Sequence, residues 1–124
     1  MSLAGKHTGE KGEVLAAAYL TQAGYRIVAR NYRCRFGEID IVAFEGETLV
    51  FIEVKSRRSE AYGDPLLAVG LGKQKKISRI ALYYLSEKGL GQQRPARFDV
   101  VAVQWRPDGT GIELIRNAFE LCPG

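Results

Sequence analysis

The sequence predicts a mixed α/β domain, with helices packed on a central sheet. Two amphipathic stretches, GEKGEVLAAAYLTQA and KQKKISRIALYYLSEK, repeat apolar residues at the helical period. Between and after them run segments rich in Val, Ile, Tyr and Phe, bounded by Gly, Pro and Asp, as strands are. A chain of 124 residues fits one domain, spanning 1–124, long enough to bury a core without disulfides.

The elements follow in order. Thr8 is placed to cap the first helix, whose apolar stripe reads Val14, Ala17, Ala18 and Leu20, and Gly24 is a stop signal. YRIVARNYR is a strand leading to a turn near Phe36–Gly37. EIDIVAF and TLVFIEVKS are two more strands, joined as an antiparallel hairpin by a tight turn at Glu45–Gly46–Glu47. RRSEAYGDP reads as a loop. Asp64–Pro65 opens a short helix that Gly70 and Gly72 interrupt. The second long helix buries Ile77, Ile80, Ala81, Tyr84 and Leu85 and ends at Gly89. ARFDVVAVQW, the turn RPDG and an edge strand GIELIRNAF complete the order αβββαβ plus one strand.

Composition narrows the function classes. The hydrophobic fraction of 46% and charged fraction of 26% are those of a folded globular chain. A net charge of +4 permits nucleic acid or an anionic surface as partner. Cys34 and Cys122 form no CxxC and His7 is the one histidine, so zinc is not expected and the cysteines read as free thiols. MSLAGKHTGEKGE lacks the apolar core of a signal peptide, and no stretch approaches the roughly 20 apolar residues of a membrane span. The expectation is a cytoplasmic protein with no membrane partner.

The chemistry gathers in GEIDIVAFEGETLVFIEVKSR. Alternation puts Glu38, Asp40 and Val42 on one face of their strand, opposite Ile39, Ile41 and Ala43. Phe51, Glu53 and Lys55 share a face of the next. If Gly46 and Glu47 are the central turn residues, Asp40 falls directly across from Glu53, and Glu38 from Lys55. If the turn centres on Glu45–Gly46, Asp40 becomes a diagonal neighbour of Glu53. Either way the two acids share a face, with Cβ atoms about 4.5–5.5 Å apart when directly opposite. Two carboxylates near 4 Å repel by roughly 4 kcal/mol at a typical protein dielectric. A proton, a cation between them, or nearby lysines must offset that. Facing carboxylates are ligands that Mg²⁺ prefers. Lys55, about 6.6 Å along the strand from Glu53, has the reach to orient a water or counter negative charge. Such a set suits phosphodiester hydrolysis. The competing reading is a ladder of ion pairs, Glu38–Lys55 and Glu53–Lys55, on a solvated sheet face. Against it, LVFIEVK is apolar on both faces until Glu53, as in a strand covered on both sides.

GEID followed by FIEVKSR resembles the PD-(D/E)xK nuclease core, in which an acid on one strand and acid–x–Lys on the next form a metal site. The wider pattern is closer still to the YraN-type bacterial proteins, predicted nucleases similar to archaeal Holliday-junction resolvases. It runs through GEKGEVLAAAYL, GYRIVARNYRCRFGEIDIVA, LVFIEVKSR, YGDP and RFDVVAV. The resemblance implies a restriction-endonuclease-like three-layer α/β domain with a central mixed sheet flanked by helices. It implies hydrolysis of DNA, branched DNA included, dependent on Mg²⁺ or Mn²⁺, by a homodimer. Asp40 and Glu53 match the metal-binding acids and Lys55 the catalytic lysine. Glu13 matches a helix-borne glutamate that completes the metal site. Ile39 stands where the motif's name has Pro. Read without the family, Glu13 is first of all a first-turn acid favoured by the helix dipole, and only the motif raises it, with Glu10 the neighbouring candidate if the match slips.

For nucleic-acid contacts the sequence offers Arg57 and Arg58 after the ExK strand. It also offers Lys73, Lys76 and Arg79 on one helical face, with Lys75 beside them. The same face reads equally as the solvated side of an amphipathic helix. Arg30, Arg33 and Arg35 form a second patch around the first turn. Tyr62 and Gly63 are minor loop candidates. Asp99 reads as structural, and Trp105 as core or interface. No helix-turn-helix or similar motif is present, which favours recognition by shape. The alternatives to a nuclease are a non-catalytic nucleic-acid-binding module on the same scaffold and an assembly protein whose acids are structural.

Overall fold

A computed structural model of the chain describes residues 3–57, 70–91 and 95–119, with backbone alone for 3–10, 57 and 71. The elements are α1 (Leu3–Gln22), β1 (Arg26–Cys34), β2 (Gly37–Glu45), β3 (Thr48–Arg57), α2 (Leu71–Glu87), β4 (Ala96–Arg106) and β5 (Gly109–Phe119). The strands form one mixed sheet in the order β1-β2-β3-β4-β5. β1, β2 and β3 are an antiparallel meander, β4 runs parallel to β3, and β5 returns antiparallel at the edge. A parallel neighbour needs a long crossover, and α2 lies in that connection.

The layers are α1, sheet and α2. Ala16 and Leu20 of α1 pack with Ile41, Ala43, Val50, Ile52, Val101 and Val103. On the other face Ile77, Ile80, Ala81, Tyr84 and Leu85 of α2 pack with Val42, Leu49, Phe51, Phe98 and Val100. The three-layer α/β fold expected from the sequence is the one observed. β3 and β4 lie at the centre, covered on both sides, which accounts for their nearly continuous apolar sequences.

Several local expectations are corrected. α1 begins at Leu3, so Thr8 lies inside the helix and does not cap it. Its buried stripe is Ala16 and Leu20 with Leu15 and Ala17 half-buried, while Val14 is 55% exposed and Ala18 faces outward. The sheet side of α1 is set by Gly12, where an added Cβ would lie 3.0 Å from Ser56 Oγ. That residue admits the helix against β3, and Trp105 Nε1 donates to the same Ser56 oxygen at 2.5 Å. Gly70 is the N-cap of α2 and Gly72 sits within its first turn. The Asp64–Pro65 helix, Tyr62, Gly63, Arg58 and Cys122 lie outside the described residues. None of the helices among those residues is long and apolar enough to cross a membrane.

A second polar cluster closes the end of the sheet away from Gly37. Buried Asp99 accepts hydrogen bonds from Tyr25 (2.7 Å), Arg97 Nε (3.0 Å) and the Asn117 amide (2.9 Å). Arg97 also reaches Glu45 at 2.6 Å, and Arg116 pairs with the same carboxylate. Burial and the Asp99 hydrogen bond push the Tyr25 hydroxyl up to about 12. The Arg97 hydrogen bond holds Glu45 below the usual carboxylate range. Asp99 is structural, as its sequence suggested.

Candidate active site

The β2–β3 ladder starts at Glu45↔Thr48, the first of the two registers the sequence allowed, and ends at Ile41↔Ile52. One step on, Asp40 Oδ2 accepts the Val54 amide at 2.8 Å, so a side chain takes a donor that strand pairing otherwise uses. Asp40–Glu53 and Glu38–Lys55 are therefore not ladder pairs. Glu38 pairs with Arg33 instead, at 3.3 Å. Beside this parting of the strands lies a concavity of about 260 Å³, lined by Glu38, Asp40, Glu53, Lys73, Lys76, Ile77 and Ile80.

β1 takes part in the distortion. Its ladder with β2 passes from Arg30↔Ile41 to Tyr32↔Ile39 without pairing Asn31 to Asp40. Asn31 has φ +54, a left-handed conformation that asparagine tolerates better than most residues. Strict alternation fails here. Ile39 packs on the α2 side with Val42, and not with Ile41 and Ala43 as period two requires. With its amide nitrogen facing the acids, Asn31 donates to Glu13 Oε2 and Glu38 Oε1, each at 3.0 Å.

Glu13 comes from α1 and hydrogen-bonds Asp40, so the acids span two layers. Burial, then the charge of Asp40, raises the Glu13 carboxyl above its ordinary value. Burial raises Asp40 against the lowering effect of the Val54 amide. Burial and the charge of Asp40 raise Glu53. All three acids favour protons more than they would in water, chiefly because burial penalises their charged form.

Two lysines offset part of that cost at Glu53. Lys73 Nζ and Lys55 Nζ approach the same oxygen, Glu53 Oε2, at 3.3 and 3.8 Å. Burial, then the hydrogen bond and charge of Lys73, lowers the Lys55 amine to about 8. Burial also works to lower Lys73, but its hydrogen bonds with Lys55 and Glu53 and the nearby acid charges leave it raised. Of the two amines, Lys55 is the one that gives up its proton first as pH rises.

The donor set is hard oxygen, which suits Mg²⁺ or Mn²⁺. Magnesium commonly takes one or two carboxylates and fills its remaining positions with water and substrate phosphate. Among the described residues no three acidic, histidine or cysteine side chains form a finished ligand set. Asp40 and Glu53 fit the two-carboxylate habit, with the Lys73 ammonium standing on one of them.

The structure thus brings together Glu13, Asp40, Glu53 and Lys55 of the sequence-derived set. Lys73, expected on an outer basic stripe, enters the acid pocket instead, while Lys76 lines its rim and Arg79 lies one turn further out. Arg57 closes β3 opposite Gln104, its side chain outside the described residues. Asn31 was missed, although an asparagine inside a Val/Ile/Tyr-rich strand is a signal for irregular backbone.

A family model described as "Uncharacterised protein family UPF0102" matches residues 12–103. The chain belongs to the UPF0102 family. A UPF0102 protein of Syntrophus aciditrophicus is 62% identical over 117 residues, covering 94% of this chain and 91% of the relative. One from Geobacter sulfurreducens is 56% identical with the same coverage. One from Symbiobacterium thermophilum is 50% identical over 115 residues, covering 92% of this chain and 97% of the relative. The YraN-type resemblance read from the motifs agrees with this membership. The UPF0102 match begins beside Glu13 and ends in β4, so it contains the whole acid–lysine pocket.

Proposed function

We propose that this UPF0102 protein is a metal-dependent nuclease that hydrolyses DNA phosphodiester bonds, branched DNA included. The observation that carries the reading is the convergence of Asp40, Glu53 and Lys55 where β2 and β3 part, with Glu13 bonded to Asp40. Asp40 and Glu53 would hold Mg²⁺ or Mn²⁺, with Glu13 assisting. When bound, such an ion supplies charge stabilisation at a phosphoryl centre and acidifies a bound water.

The remaining work falls to the chain's own groups. Lys55, with its amine lowered to about 8, holds or accepts a proton near neutral pH beside the acid pocket. Lys73 retains its charge and offsets that of Glu53. Asn31 orients Glu13 and Glu38. The Val54 amide fixes Asp40. A homodimer would present two such pockets to the equivalent strands of a junction.

One observation favours a second reading, a nucleic-acid-binding module without cleavage. Lys55 and Lys73 already neutralise Glu53 from within the chain. Labelled junction, duplex and single-stranded DNA, and RNA, incubated with Mg²⁺ or Mn²⁺, separate the two. Cleavage by wild type, lost in Asp40→Ala and Lys55→Ala, supports the nuclease. Salt-sensitive binding that survives both substitutions, without cleavage in either metal, overturns it.

A further inference from the structure

We propose that the DNA strand engaged at the acid pocket leaves it through one particular groove, between the start of α2 and the β1–β2 turn. This assignment rests on the nuclease reading. The groove measures about 490 Å³ and is lined by Arg35, Phe36, Gly72, Lys75, Lys76 and Arg79. It adjoins the acid pocket, because Lys76 lines both.

The two concavities divide the charges between them. Glu38, Asp40 and Glu53 line the first, and four cations without an acid line the second. Arg33, Lys55, Lys73, Lys88, Arg97 and Arg116 each pair with a carboxylate. Among the described residues no such pair engages Arg35, Lys75, Lys76 or Arg79. Four cations in one trough provide counter-charge for successive phosphates. A neighbouring carboxylate cluster is suited to a cation. A phosphodiester chain bound beside a metal needs that division.

The backbone makes room for the trough. Gly37 has φ +138, and a Cβ there would lie 2.7 Å from Lys76 Cε. Its bare Cα lets the Lys76 stem cross the β1–β2 turn and join the two concavities. Arg35 is steadied over the Phe36 ring at 4.9 Å, and Phe36 meets Tyr83 of α2 edge-on. The wall opposite α2 is thereby held in place.

The test compares two double variants of equal charge change, binding a labelled DNA duplex in chelator over a salt series. Arg35→Gln with Lys75→Gln alters the groove. Arg26→Gln with Lys88→Gln removes two cations elsewhere. The groove variant is expected to bind about tenfold more weakly at low salt, with a log–log salt slope shallower by roughly 1.8. The control is expected to stay within about threefold of wild type at ~0.1 M salt, where a Debye length of about 10 Å screens remote charges. Equal weakening in both variants, or none in the groove variant, overturns the groove and leaves the nuclease reading intact. Absence of DNA binding by wild type overturns both. Groove-dependent binding without cleavage in Mg²⁺ or Mn²⁺ supports the groove and counts against the nuclease.

Discussion

The Lys73 ammonium lies 3.3 Å from Glu53 Oε2, so the first turn of α2 delivers a cation onto an acid of β3. A tethered ammonium and a divalent ion compete for that carboxylate. Lys73→Met is therefore expected to bind Mn²⁺ several-fold more tightly than wild type, measured by titration calorimetry. Equal or weaker binding would remove the idea of competition.

Glu13, Asp40 and Glu53 all have raised carboxyl pKa values, each with burial as the largest cause. A carboxyl raised in the folded state stabilises the fold below its ordinary value. That contribution is lost as pH climbs through the folded value. The metal-free protein should thus lose stability between mildly acidic and neutral pH. Glu13→Gln removes one acid and keeps a donor toward Asp40. In chelator its melting temperature should exceed wild type's by a few degrees at neutral pH, the gap closing as pH falls. A variant that melts lower at neutral pH would contradict the charge account.

Lys55 should titrate near pH 8. A lysine lowered in the folded state costs stability while charged. The cost is relieved as pH rises past 8 toward the ordinary lysine value. Carbon NMR of isotopically methylated lysines should find one resonance with that midpoint. It should be absent in Lys55→Arg and shifted upward in Lys73→Met, where the neighbouring charge is gone. Titration of every resonance at the ordinary lysine position would refute it.

Asp99 receives Tyr25, Arg97 and the Asn117 amide inside the fold. Asp99→Ala removes the acceptor of the Tyr25 hydroxyl, Arg97 Nε and the Asn117 amide, and leaves Arg97 only Glu45 as a charged partner. Urea unfolding should register a loss of about 3–5 kcal/mol, the usual cost of breaking a buried pair by removing one partner. A loss below about 1 kcal/mol would place the network with exposed ion pairs.

The element order was legible because each period is long enough to read, and the tight turn narrowed the hairpin to two registers, of which Glu45↔Thr48 is the one formed. Both acids and Lys55 followed from strand alternation, which puts them on one face in either register. What sequence reading missed depends on contacts between distant parts of the chain. Gly12 looks like a weak helix residue until Ser56 is seen beside it. Asn31 and Asp40 look like ordinary strand positions until the ladder skips them. Lys73 looks like a surface lysine because helical spacing groups it with Lys76 and Arg79, whereas the docking of α2 on the sheet brings its ammonium onto Glu53. Val14 joined the apolar stripe on hydropathy alone and faces out because α1 is rotated to set Gly12 against the sheet.

The Glu45↔Thr48 closure makes Gly46 and Glu47 a ruler for chemistry displayed at the far end of the hairpin. Adding or deleting one residue there would slide β3 by a single position against β2 and turn Glu53 and Lys55 toward α1, away from Asp40. Length variation is ordinarily tolerated at exposed hairpin tips. Here relatives that keep the acid–x–lysine pair should also keep the residue count of this tip, whatever side chains they place on it.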